Sequence, residues 1–243
     1  ADILPCLEND LDLTFGVPDE AKVVTIATLW KYSKSPVVII VSRENDAHNY
    51  LAQLKVWTDT EVIHYPSHGI LPYERKDIDP SILQQRLTTI SKLNQHKNQD
   101  PPLIITSIQS LGSHTLPQKD FKKALTTISL NQEVNLDLFI KKIISIGYKQ
   151  ELVVTNSGEF AHRGGIVDLF SPLAIHPVRI EFFGNVIDSI RTFNPVDQRT
   201  VQHETKITFG PASEWIPTSS EIANFAYNNS NVSTEKSLNE LAD

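Results

Sequence analysis

Residues 158–184 read GEFAHRGGIVDLFSPLAIHPVRIEFFG. The stretch holds three β-type segments, EFAHR, IVDLF and VRIEFF, and two arginines, Arg163 and Arg179. Successive side chains of a strand face opposite sides, so Ile180 and Phe182 share one face while Arg179, Glu181 and Phe183 share the other. From Arg179 to Phe183 the strand spans roughly 13 Å at about 3.3 Å per residue. A face that joins Arg, Glu and Phe is poor core material and good interface material. The pattern alone leaves one alternative open: Phe183 packs under a neighbouring loop while Arg179 and Glu181 are merely solvated.

Outward from this stretch, short alternating segments run from Tyr148 to Phe209 and add LVVT, VIDSIRTF and TKITF. Asn156-Ser157-Gly158, Gly164-Gly165 and Asn194-Pro195 separate them as turns or bulges. Upstream, Asn135 is placed to cap a helix with the apolar stripe Leu136, Phe139, Ile140, Ile143 and Ile144, with Gly147 just past its end. Residues 119–209 therefore read as a small antiparallel α+β domain with one face left for solvent or a partner. Residues 210–243 start a further unit, with Trp215 and Pro217 before a helical start near 221–227 and a polar run over 228–237. That unit reads as incomplete.

Residues 1–118 read as α/β. The runs at 37–42 (VVIIVS) and 103–107 (LIITS) suit strands buried on both faces of a parallel sheet. Between them Ala47, Leu51, Leu54 and Trp57 repeat at helical spacing. After Asp79-Pro80, a cap followed by a first-turn proline, Leu83, Leu87, Ile90 and Leu93 do the same. Segment 64–79, broken by Pro66, Gly69 and Pro72, reads as a loop. Alternating strands and helices imply right-handed crossovers and a doubly wound sheet.

Composition excludes several roles. The 22 basic and 29 acidic residues leave a net charge of −7, unlike a surface that neutralises many phosphates. No apolar stretch approaches 18 residues and no signal-peptide pattern opens the chain, which disfavours membrane spanning and secretion. The single cysteine, Cys6, forms no intrachain disulfide and fits a reducing cytosol. Methionine is absent, as in a fragment or a processed chain.

A phosphate loop would follow the strand at 11–16 (LDLTFG). Set against G-x-x-x-x-G-K-[ST], the chain offers Gly16, Ala21, Lys22 and Val23: first glycine and lysine, without the second glycine or the magnesium-binding hydroxyl. Asp19 and Glu20 place negative charge where a triphosphate would sit. Lys22 thus reads as a solvated lysine at a helix start, with no ATP site around it. The eight histidines look scattered and none has a Cys, Asp or Glu at tight metal-ligand spacing, so no metal site is expected. Asp77 and Asp79 read as turn and cap residues, and His162 as an exposed strand histidine. No nucleophile, base or paired-carboxylate arrangement points to catalysis by this chain.

The run GEFAHRGGIVDLF…VRIEFFGNVIDSIRTFNPVDQRT, with ILPYERKDIDPSILQQRLTTISKL and LIITSIQSL, resembles the N-terminal UvrB-like module of bacterial transcription-repair coupling factors (Mfd). The likeness runs over about 11–217. Compared with UvrB, the phosphate loop is degenerate and the region of the long DNA-threading hairpin is short, and both losses match the coupling factors. The resemblance implies a degenerate RecA-like parallel α/β domain interrupted by an inserted antiparallel UvrA-binding domain like UvrB domain 2. It implies a cytoplasmic bacterial protein that recruits UvrA to start transcription-coupled nucleotide excision repair, with no cofactor of its own. ATP, magnesium, double-stranded DNA and RNA polymerase would be met by motor and polymerase-binding domains C-terminal to this module, and those domains would mask the UvrA face. The family's arginine–arginine–phenylalanine set, spaced sixteen and four residues apart, falls on Arg163, Arg179 and Phe183. The arginines would pair with acidic groups of UvrA while the phenylalanine fills an apolar recess. The alternative is a fragment of a UvrB-type ATP-dependent damage-recognition helicase. A DNA-binding scaffold is a weaker third, opposed by the net charge.

Overall fold

The computed structural model describes residues 14, 16–33, 35–70, 74, 78–95 and 101–216. Its first part alternates α1 (Asp19–Tyr32), β1 (Val37–Val41), α2 (Glu44–Trp57), β2 (Val62–Tyr65), α3 (Pro80–Gln95), β3 (Leu103–Ser107) and the short α4 (Ile108–Leu111). The three strands form a parallel sheet in the order β1-β3-β2. All five residues of β3 are buried, as its unbroken apolar run requires of a central strand. Val23, Ala27, Ala47 and Leu54 of α1 and α2 close over Val62, Leu103 and Ile105. Asp79 caps α3 by accepting the Ser81 backbone N–H at 2.8 Å.

Two expectations for this part are corrected. β1 is an edge strand whose second face stays open, with Val38 50% and Ile40 54% exposed, because α3 packs against β2 instead. The segment 64–79 is not wholly loop: His64 and Tyr65 complete β2, a strand too short and too polar to be recognised by periodicity. The expected strand at 11–16 and Asp77 lie outside the described residues, apart from residues 14 and 16.

The second part comprises α5 (Gln118–Ala124), β4 (Thr126–Ser129), α6 (Leu136–Ser145), β5 (Lys149–Gln150), β6 (Glu159–Arg163), β7 (Ile166–Leu169), β8 (Val178–Phe183), β9 (Val186–Phe193), β10 (Thr200–His203) and β11 (Lys206–Phe209). Six strands form one sheet, β10-β9-β8-β7-β6-β5, antiparallel except for β5 beside β6. β4 and β11 pair separately. The Asn135 side chain accepts the Leu138 N–H at 3.0 Å to start α6, and Gly147 takes φ 97° just past its end, as the spacing predicts. α6 lays Phe139 and Ile143 on one face of the six-stranded sheet, among Phe160, Val167, Leu169, Val178, Ile180, Ile187 and Ile190. Truncating Phe139 or Phe160 in such a core costs about 3–5 kcal/mol. Ile144, expected on the buried stripe, is half exposed.

The expected strand LVVT does not form; 152–155 is irregular and Leu152 is 89% exposed. The backbone N–H groups of Thr155 and Asn156 donate to Glu159 Oε2, both at 2.8 Å, so the carboxylate takes bonds a ladder would need. Beyond β11 the chain turns back to the first sheet. Glu214, 5% exposed, accepts from Arg86 Nε at 2.8 Å, from Thr115 Oγ1 at 3.0 Å and from the Tyr65 hydroxyl at 3.2 Å, and meets His68 Nε2 at 2.5 Å. The fully buried Arg86 also donates to the Pro66 carbonyl and covers the Tyr65 ring at 4.1 Å. The helical start expected near 221–227 lies outside the described residues. Among those described, no helix is long and apolar enough to cross a membrane.

Candidate partner-binding face

Two neighbouring hairpins build the face. Gly164-Gly165 joins β6 to β7, with Gly164 at φ 61°, and Gly184-Asn185 joins β8 to β9, with Gly184 at φ 63°. The Phe182 N–H donates to the Gly165 carbonyl at 2.7 Å, and a Cβ on Gly165 would lie 2.7 Å from the Phe182 oxygen. Only glycine lets the first turn sit this close to β8. Register aligns Ala161, Asp168, Arg179 and Arg191 across four strands, and Arg163, Ile166, Glu181 and Ser189 in the next row. Partners in a row share a face.

The alternation expected along β8 is observed. Val178 and Ile180 are buried, and Phe182 packs on Phe139 with ring centroids 5.7 Å apart. Arg179, Glu181 and Phe183 take the other side. The register slips where Glu181 faces Ser189 but Phe182 faces Ile187, so the extra residue, Asp188, belongs to β9 and leaves β8 unbroken. Phe183 is 83% exposed at the end of its hairpin, so it does not pack under a loop.

The sequence reading missed Asp168. Its carboxylate is 1% exposed and accepts Arg179 Nε at 2.6 Å, Arg179 Nη2 at 2.8 Å and Arg163 Nη2 at 2.9 Å. Arg179 also donates to Gln198 Oε1 at 3.1 Å and lies 4.7 Å from the Phe193 ring centroid. Hydrogen bonding to Asp168 holds the Arg179 guanidinium above its ordinary pKa. Arg191 pairs with Glu181 in the same face. The picture of two arginines equally open to acids of a partner therefore changes. Arg179, with 18% of its side chain exposed, is committed within the fold; Arg163, with 55%, is oriented by one bond and points most of its fork outward. An acidic residue between Val167 and Leu169, in register with an arginine, was the available signal.

The phosphate-loop positions are elsewhere. Pro18 precedes α1, Gly16 lies before it, and Ala21, Lys22 and Val23 fall within the helix. Lys22 Nζ stands 2.5 Å from Asp19 Oδ1, and Val23, where the magnesium-binding hydroxyl would be, is a core side chain 4% exposed.

Residues 126–215, from β4 to just past Glu214, match the UvrB interaction domain family. The chain is 30% identical over 233 residues to the transcription-repair-coupling factor of Staphylococcus aureus (strain USA300), covering 93% of this chain and 20% of that protein. To the transcription-repair-coupling factor of Bacillus subtilis (strain 168) it is 29% identical over 205 residues, 84% of this chain and 17% of the relative. The chain thus spans about a fifth of the length of these relatives. The resemblance to coupling factors read from the sequence is borne out, as is the mixed α/β class, with a parallel sheet in the first part and mainly antiparallel strands in the second.

Proposed function

We propose that this chain is the UvrA-docking part of a transcription-repair coupling factor and performs no ATP chemistry itself. One observation carries the reading: Phe183, 83% exposed, ends one hairpin of the UvrB interaction domain beside Arg163 at the end of the next. Phe183 enters an apolar recess of UvrA and Arg163 meets an acidic group there, while Arg179 and Asp168 hold that arginine in place. The Lys22–Asp19 pair and the buried Val23 oppose the alternative of a UvrB-type helicase, which needs nucleotide at that helix. In the longer protein, C-terminal domains cover this face until the motor engages, and the motor meets ATP, magnesium, DNA and RNA polymerase in the cytoplasm.

The test is capture of UvrA by the immobilised chain. Phe183→Ala and Arg163→Ala each weaken capture by about 1–3 kcal/mol, the range for interface anchors. If both variants stay folded and capture UvrA as well as the parent, this face is not the docking site.

A further inference from the structure

The carboxyl edge of the parallel sheet gathers three side chains that UvrA docking does not use. Glu44 opens α2 directly after β1, His48 follows one helical turn later, and His64 lies in β2 on the face turned to α2. One donor atom from each lies within 4.8 Å of the others. Open α/β sheets bind ligands outside the carboxyl ends of their strands, which is where this group sits. The expectation that no histidine has an acidic residue at ligand spacing is corrected: Glu44 and His48 stand one turn apart on α2, and the third member comes from β2, a strand the sequence pattern does not show.

Each group is held as a metal ligand is held. Ser107 Oγ donates to Glu44 Oε2 at 2.6 Å, and the Ser67 N–H donates to Oε1 at 3.3 Å, so the carboxylate is aimed by outer bonds. His48 Nδ1 lies 2.9 Å from the Glu44 carbonyl oxygen; a proton there fixes the tautomer and leaves Nε2 to bind. His64 is 6% exposed, and its Nε2 makes no hydrogen bond although Glu44 Oε1 is 2.9 Å away. The imidazole nitrogen and the carboxylate oxygen thus face one another at the sheet edge, close enough to share a ligand.

We propose that Glu44, His48 and His64 bind a divalent transition metal of the Zn²⁺ class, clipping α2 to the edge of the sheet. Two imidazoles and one carboxylate suit such an ion, with water in the fourth position. Zinc bonds of about 2.0–2.2 Å place tetrahedral ligand atoms roughly 3.4 Å apart, so the group closes by at most about 1.5 Å. Rotation of the exposed His48 side chain supplies that movement.

The test titrates the chelator-stripped chain with Zn²⁺ against a competing dye, and with Co²⁺ by visible absorption. The parent binds one equivalent tightly and gives the intense Co²⁺ bands of a tetrahedral site. His48→Ala and Glu44→Gln each weaken binding by more than about a hundredfold, beyond the loss from an outer partner alone. His203→Ala, on the other sheet, changes nothing. Circular dichroism checks that each variant stays folded; His48 is exposed, and glutamine preserves the shape of Glu44. Binding equal in parent, His48→Ala and Glu44→Gln overturns the proposal, as does binding lost equally in His203→Ala. No step uses UvrA, so failure here leaves the docking proposal standing.

Discussion

Asp168→Ala probes the support beneath the docking face. The carboxylate is 1% exposed and accepts three guanidinium bonds at 2.6, 2.8 and 2.9 Å. Breaking a buried pair by removing one member costs about 3–5 kcal/mol, because the other charge is left uncompensated. Here the figure is reduced: Arg179 keeps Gln198 and the Phe193 ring, and the half-exposed Arg163 pair adds under about 1 kcal/mol. The expected loss is about 3 kcal/mol, against less than about 1 kcal/mol for Arg163→Ala. Urea unfolding at neutral pH, followed by far-ultraviolet circular dichroism, reads both. Asp168→Ala also weakens UvrA capture, because Arg163 loses the bond that orients it. A stability loss below about 1 kcal/mol would show that Asp168 does not organise the face. Tighter capture would show that Asp168 competes with UvrA for the arginines.

Three further outcomes follow from the same geometry. Burial raises the Glu214 carboxyl, but Arg86, His68 and Thr115 reverse this and hold it below its ordinary value of 4.5, so its contribution is present above that pH and is lost as pH falls through the lower folded value. Urea midpoints between pH 7 and pH 3 should fall less steeply for Glu214→Gln, and parallel slopes would contradict this. Gly165→Ala drives a methyl group to 2.7 Å from the Phe182 carbonyl and should cost about 1–3 kcal/mol, whereas an unchanged melting curve would mean the two hairpins are not locked together. A non-hydrolysable ATP analogue with magnesium should show no saturable binding in calorimetry, and tight binding abolished by Lys22→Ala would revive the helicase reading.

Strong periodicity made much of this fold legible. The α6 stripe, the Asp79-Pro80 start of α3 and the apolar run of β3 each act locally, so sequence carries them. β2 escaped because VIHY is four residues long, with a histidine inside it and Pro66 after it. LVVT misled because Glu159 captures the N–H groups that a strand would pair. β1 reads like β3, and only strand order separates an edge from a centre. For the candidate face, alternation along 179–183 placed Phe183 outward correctly. It could not reveal Asp168, whose role depends on three strands in register, nor the meeting of His64 with Glu44 and His48 across the sheet edge.

Calorimetric titration of UvrA into the parent chain and into Phe183→Ala tests the docking reading most directly. Phe183 is 83% exposed, so its removal leaves the free chain's melting temperature unchanged. Burying an aromatic side chain removes roughly 150–250 Å² from water, and at about 25 cal/mol per Å² that sets an upper limit of roughly 4–6 kcal/mol. By transfer energies, full burial of a phenylalanine is worth about 1.5–3 kcal/mol. Phe183→Ala raises the Kd by roughly 10- to 150-fold at equal stability. Equal Kd values for two equally stable proteins would contradict it.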